Sequence, residues 1–178
     1  MSKIVIIGAG AMGTAFSFPC VDNDHDVSII GSPLENSVID NLKKNNFHKD
    51  LDCTISKNIN FLRSDNLNDQ LKNKPDLIVI GVNSKGIDWV AKEIQDATNL
   101  KTPLLMLTKG LTIQNNKFTI LTEKFKNSEI TAVAGPCLAK DLSKKNNTTV
   151  VFANKNLNKA KSIIKLIKTN YYYIESSD

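Results

Sequence analysis

The run Lys3–Ile7 (KIVII) is continuously apolar, and it breaks into Gly8-Ala9-Gly10-Ala11-Met12-Gly13 before a second apolar-rich stretch. The run suits a strand covered on both faces. The glycines follow G-x-G-x-x-G spacing, which means little alone but gains force between a buried strand and the start of a helix. Gly8 is suited to the tight turn and Gly10 to close approach of a pyrophosphate. Gly13 is suited to packing the helix against the strand. Unpaired N–H groups at the helix start would then face the phosphates. The pattern therefore predicts a dinucleotide site at the first strand–helix junction.

The rest of the chain alternates in the same manner. "DVSII", "DLIVIG", "PLLMLT", "EITAVA" and "TTVVFA" read as strands. "LENSVIDNLKKNN", "NLNDQLKN", "KGIDWVAKEIQDAT", "KFTILTEKFK" and "LNKAKSIIKLIKT" read as helices, and "GPCLAKDLSK" as a turn into one. Pro19 is expected to kink or shorten the first helix. "CTISK" and "NFLRS" fit either short strands or a loop. Trp89 is expected to serve packing. His25 and His48 fall in polar loops and are expected to be solvated, as is Lys85. The alternation predicts an α/β fold, a doubly wound and mostly parallel sheet with helices on both faces. Residues 1–178 are expected to form one such domain, its last strand-like segment being 171–175.

The balance of 23 basic and 18 acidic residues gives +5, but Arg63 is the only arginine and the lysines are scattered. A nucleic-acid surface would concentrate basic residues and favour arginine. The three cysteines, Cys20, Cys53 and Cys137, form no CxxC pair and have no histidine nearby. No metal site or disulfide framework is expected. The start of the chain shows no signal peptide, and no apolar run nears the roughly 18 residues of a membrane span. A cytoplasmic protein without membrane insertion is expected.

Later stretches narrow the chemistry. In an open α/β sheet, ligands lie outside the carboxyl ends of the strands. "LTKGL" places Lys109 at such an end, with Gly110 turning the chain away. An acid for the adenosine ribose is expected at the end of the second strand. "SIIGSPLE" offers Gly31, Ser32 and Pro33 there, with Glu35 slightly late, and no arginine to hold a 2′-phosphate. This favours NAD over NADP.

The glycine turn, "LIVIGVNSKGI", "LTKGL", "AVAGPCLAKDL" and "TTVVFAN" together resemble the N-terminal half of NAD(P)-dependent glycerol-3-phosphate dehydrogenase. The resemblance covers the whole chain in order and spacing. It implies a Rossmann-like domain binding NAD or NADP, with glycerol 3-phosphate or dihydroxyacetone phosphate as substrate. It implies cofactor contacts at Gly8, Gly10, Ala11, Met12, Gly13, Ser32, Pro33, Lys109 and Ala139. It implies substrate contacts at Lys109, Gly135 and Cys137. Asn83 departs from the family's usual proline, Ser32-Pro33 from a more basic pair, Cys137 from serine and Asp141 from glutamate.

The family continues into a helical second domain that carries the general-base lysine and the phosphate-binding groups. No lysine before Asp178 matches the base, so the resemblance places the base beyond Asp178. The isolated chain is therefore expected to bind dinucleotide with negligible turnover. A homo-oligomer or a separate C-terminal half are the partners to expect. The competing reading is a dinucleotide-binding module without catalysis of its own.

Overall fold

The computed structural model describes residues 1–97, 102–114, 116–125 and 130–178. The expected elements reach Thr98, Lys126 and Glu129, which lie outside the described residues. In chain order the first elements are β1 (Lys3–Ile7), α1 (Ala11–Asp22), β2 (Asp26–Ile30), α2 (Asn36–Asn45), β3 (Phe47–His48) and β4 (Cys53–Thr54). Next come β5 (Asn60–Leu62), α3 (Leu67–Lys72), β6 (Leu77–Ile80), α4 (Ile87–Asp96) and β7 (Leu104–Met106). The chain finishes with β8 (Leu111–Gln114), β9 (Lys117–Ile120), β10 (Ile130–Ala134), α5 (Ala139–Ser143), β11 (Thr148–Ala153), α6 (Leu157–Ile167) and β12 (Tyr172–Ser177).

Eight strands form one sheet in the order β5-β2-β1-β6-β7-β10-β11-β12. Pairing is parallel except between β10 and β11, after which β12 runs parallel to β11. The strand order reverses at β1, where the chain proceeds first to β2 and later returns to β6 on the other side. Such a reversal leaves a crevice at the strand ends.

Alternation along β1 explains its unbroken apolar run. Ile4 and Ile6 join the core under α1 and α6, while Val5 and Ile7 join the one under α3 and α4. Each of these fully buried side chains contributes roughly 1.5–3 kcal/mol relative to exposure. Among the described residues, no helix is long and apolar enough to cross a membrane.

Helix α1 is buried along most of its length, including Thr14 and Ser17, whose hydroxyls donate to the Ala9 and Thr14 carbonyls. Pro19 does not shorten the helix, which runs on to Asp22. Tertiary burial outweighs the loss of one N–H donor, and Asn23 Nδ2 donates to the Pro19 carbonyl at 2.8 Å. Tyr172 packs edge-on against Phe16 of this helix, with ring centroids 6.1 Å apart and an 85° interplanar angle.

The helix expected over "KFTILTEKFK" is instead strand β9 followed by a short 3₁₀ turn, Leu121–Lys124. Strand β9 pairs antiparallel with β8, and Asn116 turns the chain at φ +57°. The β-branched and aromatic residues of both strands favour this pairing, and asparagine tolerates the left-handed turn. The ambiguous stretch before α3 resolves into β4, paired with β3, and β5, the edge of the main sheet.

Burial raises the titration of the Cys20 thiol and the Tyr172 hydroxyl above their ordinary values. The Tyr172 hydroxyl is buried without a well-placed hydrogen-bond partner, and the Cys137 thiol lies beside it. The folded chain keeps these protons while the unfolded chain releases them, at about pH 8.5 for thiols and about pH 10 for phenols. Unfolded molecules then bind fewer protons, so stability falls as pH rises, by about 1.4 kcal/mol per pH unit per group. Urea midpoints at pH 8 and pH 10.5 should show this decline, and Tyr172→Phe should make it shallower. An unchanged midpoint would contradict the burial of these groups.

Candidate dinucleotide site

The turn between β1 and α1 is held by backbone fit and by side chains. Gly8 has φ +115°, and a Cβ there would lie 2.7 Å from both the Gly81 carbonyl carbon and the Val82 nitrogen. A Cβ at Gly13 would lie 2.2 Å from the Gly8 oxygen. These two positions require glycine on steric grounds alone.

The peptide groups of Ala9, between Gly8 and Gly10, are pinned by three side chains. Glu35 Oε2 accepts the Ala9 N–H at 3.1 Å. The Ala9 carbonyl accepts from Thr14 Oγ1 at 3.2 Å and from His48 Nε2 at 3.1 Å. His48 Nδ1 faces the Leu51 N–H at 3.4 Å and acts as acceptor, so Nε2 carries the proton. His48 is 3% exposed, which corrects the expectation of a solvated loop histidine. His25 is corrected likewise: its Nδ1 accepts the Ser2 N–H at 3.2 Å and its Nε2 lies 2.8 Å from the Leu166 carbonyl. Both loops are polar in sequence, yet each histidine bridges backbone groups that would otherwise lose water.

Gly10 caps α1 without a side-chain hydrogen bond, and the first turn of α1 has no acidic residue. Its N–H groups are thus left for an anion, with the helix dipole favouring negative charge. Among the described residues, the only group near an added Cβ at Gly10, beyond its own helix and chain neighbours, is Glu35 Oε1, at 3.4 Å. The backbone there is open to close approach, as a pyrophosphate requires, and the residues present fit a dinucleotide.

Two adjoining clefts of about 350 Å³ each follow the strand ends. One is lined by Gly10, Ala11, Met12, Thr108 and Lys109, among others. The second is lined by Ser32, Pro33, Leu34, Lys85 and Trp89, among others. Glu35, Val82 and Asn83 belong to both. Asn83 caps the next helical turn through Oδ1, accepting from the Lys85 and Gly86 N–H groups at 3.0 and 3.2 Å. Thr108 Oγ1 donates to the Val82 carbonyl at 2.6 Å and ties the end of β7 to this wall.

Lys109 Nζ donates to the Gly135 carbonyl, so the cation and the turn after β10 meet at the cleft mouth. Burial raises the Cys137 thiol, while the nearby Lys109 charge partly offsets that rise. Ala139 lines neither cleft; like Ala11 and Met12, it packs against the core cluster beneath α1. Residue contacts therefore gather Gly10, Ala11, Met12, Ser32, Pro33 and Lys109 along one path, with Gly135 and Cys137 joined through Lys109. Sequence reasoning takes His48 for a solvated residue and undervalues Glu35.

The fold and this crevice define a dinucleotide-binding, doubly wound α/β domain. The family profile for the N-terminus of NAD-dependent glycerol-3-phosphate dehydrogenase matches residues 3–160. The chain belongs to that family. Among its relatives, the NADP(+)-dependent glycerol-3-phosphate dehydrogenase of Archaeoglobus fulgidus is 27% identical, covering 97% of this chain and 52% of the relative. The glycerol-3-phosphate dehydrogenase [NAD(P)+] of Oceanobacillus iheyensis is 29% identical, covering 100% and 52%. A crystal structure of glycerol-3-phosphate dehydrogenase from Coxiella burnetii shares the fold, with a TM-score of 0.85 at 19% identity, covering 99% of this chain and 54% of that one. The chain spans about half the length of the curated relatives it matches.

Proposed function

We propose that this chain is the cofactor-binding half of a glycerol-3-phosphate dehydrogenase, which interconverts glycerol 3-phosphate and dihydroxyacetone phosphate. The observation that carries this reading is the shared cleft: the uncapped start of α1 and the Lys109 cation lie on one path along the strand ends. The bound nicotinamide supplies the hydride chemistry, while the protein supplies position and charge.

Gly10 and the first N–H groups of α1 would hold the pyrophosphate, and Ala11 and Met12, which line the same cleft, would border it. Lys109 leans on the Gly135 carbonyl and offers its positive charge to the substrate oxygen or phosphate, where negative charge develops. Gly135 and Cys137 border the substrate from the same side. The thiol is the size of the family's serine but a poorer donor.

Oxidation also requires a base for the C2 hydroxyl proton as the hydride departs. Glu35 is engaged with two backbone N–H groups and Lys109 donates to a carbonyl, so neither is assigned that role. The family's helical half is its expected source.

Titration of the chain with NADH and NADPH, followed by nucleotide fluorescence, tests the cofactor role; no binding of either at millimolar concentration would sink it. The chain alone should turn over glycerol 3-phosphate negligibly, and adding the helical half of a relative should restore activity. In that mixture Lys109→Ala should lower turnover by about 100-fold without altering the thermal midpoint, since the side chain is exposed. Unchanged turnover would remove Lys109 from the mechanism.

A further inference from the structure

The β8–β9 hairpin is folded with its polarity reversed. In an antiparallel pair with one face on the protein body, apolar side chains belong inside and polar ones outside. Here Leu111 stands opposite Ile120 and Ile113 opposite Phe118, so the four share one face. That face is the outer one, with exposures running from 54% at Ile120 to 77% at Phe118. The inner face carries Thr112, Gln114 and Thr119, all half-buried. It encloses Gln114 Oε1 and Thr119 Oγ1 without a hydrogen-bond partner among the described residues. Both faces are the reverse of what water favours.

The hairpin cannot turn over to correct this, because its base is pinned. Leu121 is buried in the core beneath α4, and Lys124 pairs with Asp88 of that helix at 2.9 Å. On the other side, Thr108 Oγ1 holds the Val82 carbonyl. An apolar face fixed outward in this way marks a surface that something else covers.

A second copy of the chain is too small a cover. The four side chains expose roughly 400 Å². Two such faces together would bury about 800 Å², short of the about 1,200 Å² at which specific interfaces begin. Position points elsewhere. Gly110 alone separates β8 from Lys109, which reaches the Gly135 carbonyl, and the turn after Gly135 carries Leu138 at 69% exposure. The apolar face thus continues toward the cleft mouth, where a proton acceptor has to arrive from outside this chain. The curated relatives are about twice as long as the stretch that this chain matches. A helix about 10 Å across fits over two strands about 4.8 Å apart.

We propose that the outer face of the β8–β9 hairpin is the docking surface for the half of the dehydrogenase that carries the general base, and that it grips an apolar helix of that half beside the cleft. This rests on the dehydrogenase reading above and assigns the contact that closes the site over Lys109.

The test joins residues 1–178 to the half of the Oceanobacillus iheyensis relative that this chain does not span. Amide hydrogen exchange is followed in the hybrid and in residues 1–178 alone. The hairpin amides should exchange at least about tenfold more slowly in the hybrid. Ile113→Lys and Phe118→Lys should each erase that protection and lower turnover of glycerol 3-phosphate by about tenfold or more. In residues 1–178 alone, both variants should keep the wild-type thermal midpoint and NADH affinity, since the two side chains stand exposed and line neither cleft.

Equal hairpin exchange with and without the added half, or full turnover in both lysine variants, would overturn the assignment and leave the dinucleotide reading intact. Binding of neither NADH nor NADPH by residues 1–178 would overturn that reading and the assignment with it. Should the hybrid fail to fold, sedimentation of residues 1–178 at about 100 μM decides. The assignment expects a monomer, and a dimer that Phe118→Lys dissociates would give the face to a second copy and overturn it.

Discussion

Gly13→Ala is expected to lower the stability of the domain by about 3 kcal/mol or more, a large share of what a domain this size possesses. The added methyl would sit 2.2 Å from the Gly8 oxygen and 3.2 Å from its carbonyl carbon, both main-chain atoms. Gly8 cannot yield easily, because it is itself lodged against Gly81 and Val82. Nor can the helix retreat without opening the core beneath Phe16, which is fully buried. Gly10→Ala is the informative partner. Its methyl would approach only Glu35 Oε1, at 3.4 Å, so the fold should stay within about 1 kcal/mol of the wild type. It should nevertheless weaken dinucleotide binding by about 100-fold, since the methyl occupies the path of the pyrophosphate. Urea denaturation and nucleotide titration of both variants separate the two effects. A fully stable Gly13→Ala protein would mean that the turn and helix are not packed as described.

His48→Phe should cost about 2–3 kcal/mol and loosen the same turn from below. Phenylalanine fills similar space but removes the acceptor for the Leu51 N–H and one of two donors to the Ala9 carbonyl. Both backbone groups lie where water does not readily replace the ring. Because the Ala9 carbonyl belongs to the glycine turn, nucleotide affinity should fall by about tenfold at temperatures where the variant remains folded. His48→Gln can restore a donor to Ala9 and should recover part of the affinity. Wild-type stability and affinity in His48→Phe would show that the imidazole is a bystander.

Periodicity made the sheet legible, because β1, β2 and β6 are each buried on both faces and so carry no polar residue at their centres beyond Ser28. The glycine turn was legible because steric demand restricts those positions to one residue type. The β8–β9 hairpin was not. Phe118 and Ile120 of β9 run straight on into Leu121 and Phe125, an apolar spacing that a helix shares, and the left-handed turn at Asn116 favours the hairpin. His48 was hidden because "NNFHKD" is polar throughout, while its folded position depends on the β3–β4 pairing beneath a turn 39 residues earlier in the chain. Glu35 looked late along the chain by a few residues. A single turn, closed by the Glu35 N–H on Ser32, brings it back to the strand end.

Helix α1 forms near the start of the chain, but its seat is completed near the other end. The Tyr171 hydroxyl donates to Asp22 at 2.7 Å across 149 residues of sequence, Lys145 pairs with the same carboxylate, and Tyr172 closes on Phe16. Contacts of such separation must bear the entropy of closing a very long loop before they return any stabilisation. During synthesis, the segment that opens onto the cofactor path therefore leaves the ribosome well before its bed exists. Its apolar flank stays uncovered until Tyr171 and Tyr172 have emerged, so the outer seat of the helix is completed after the glycine turn it carries.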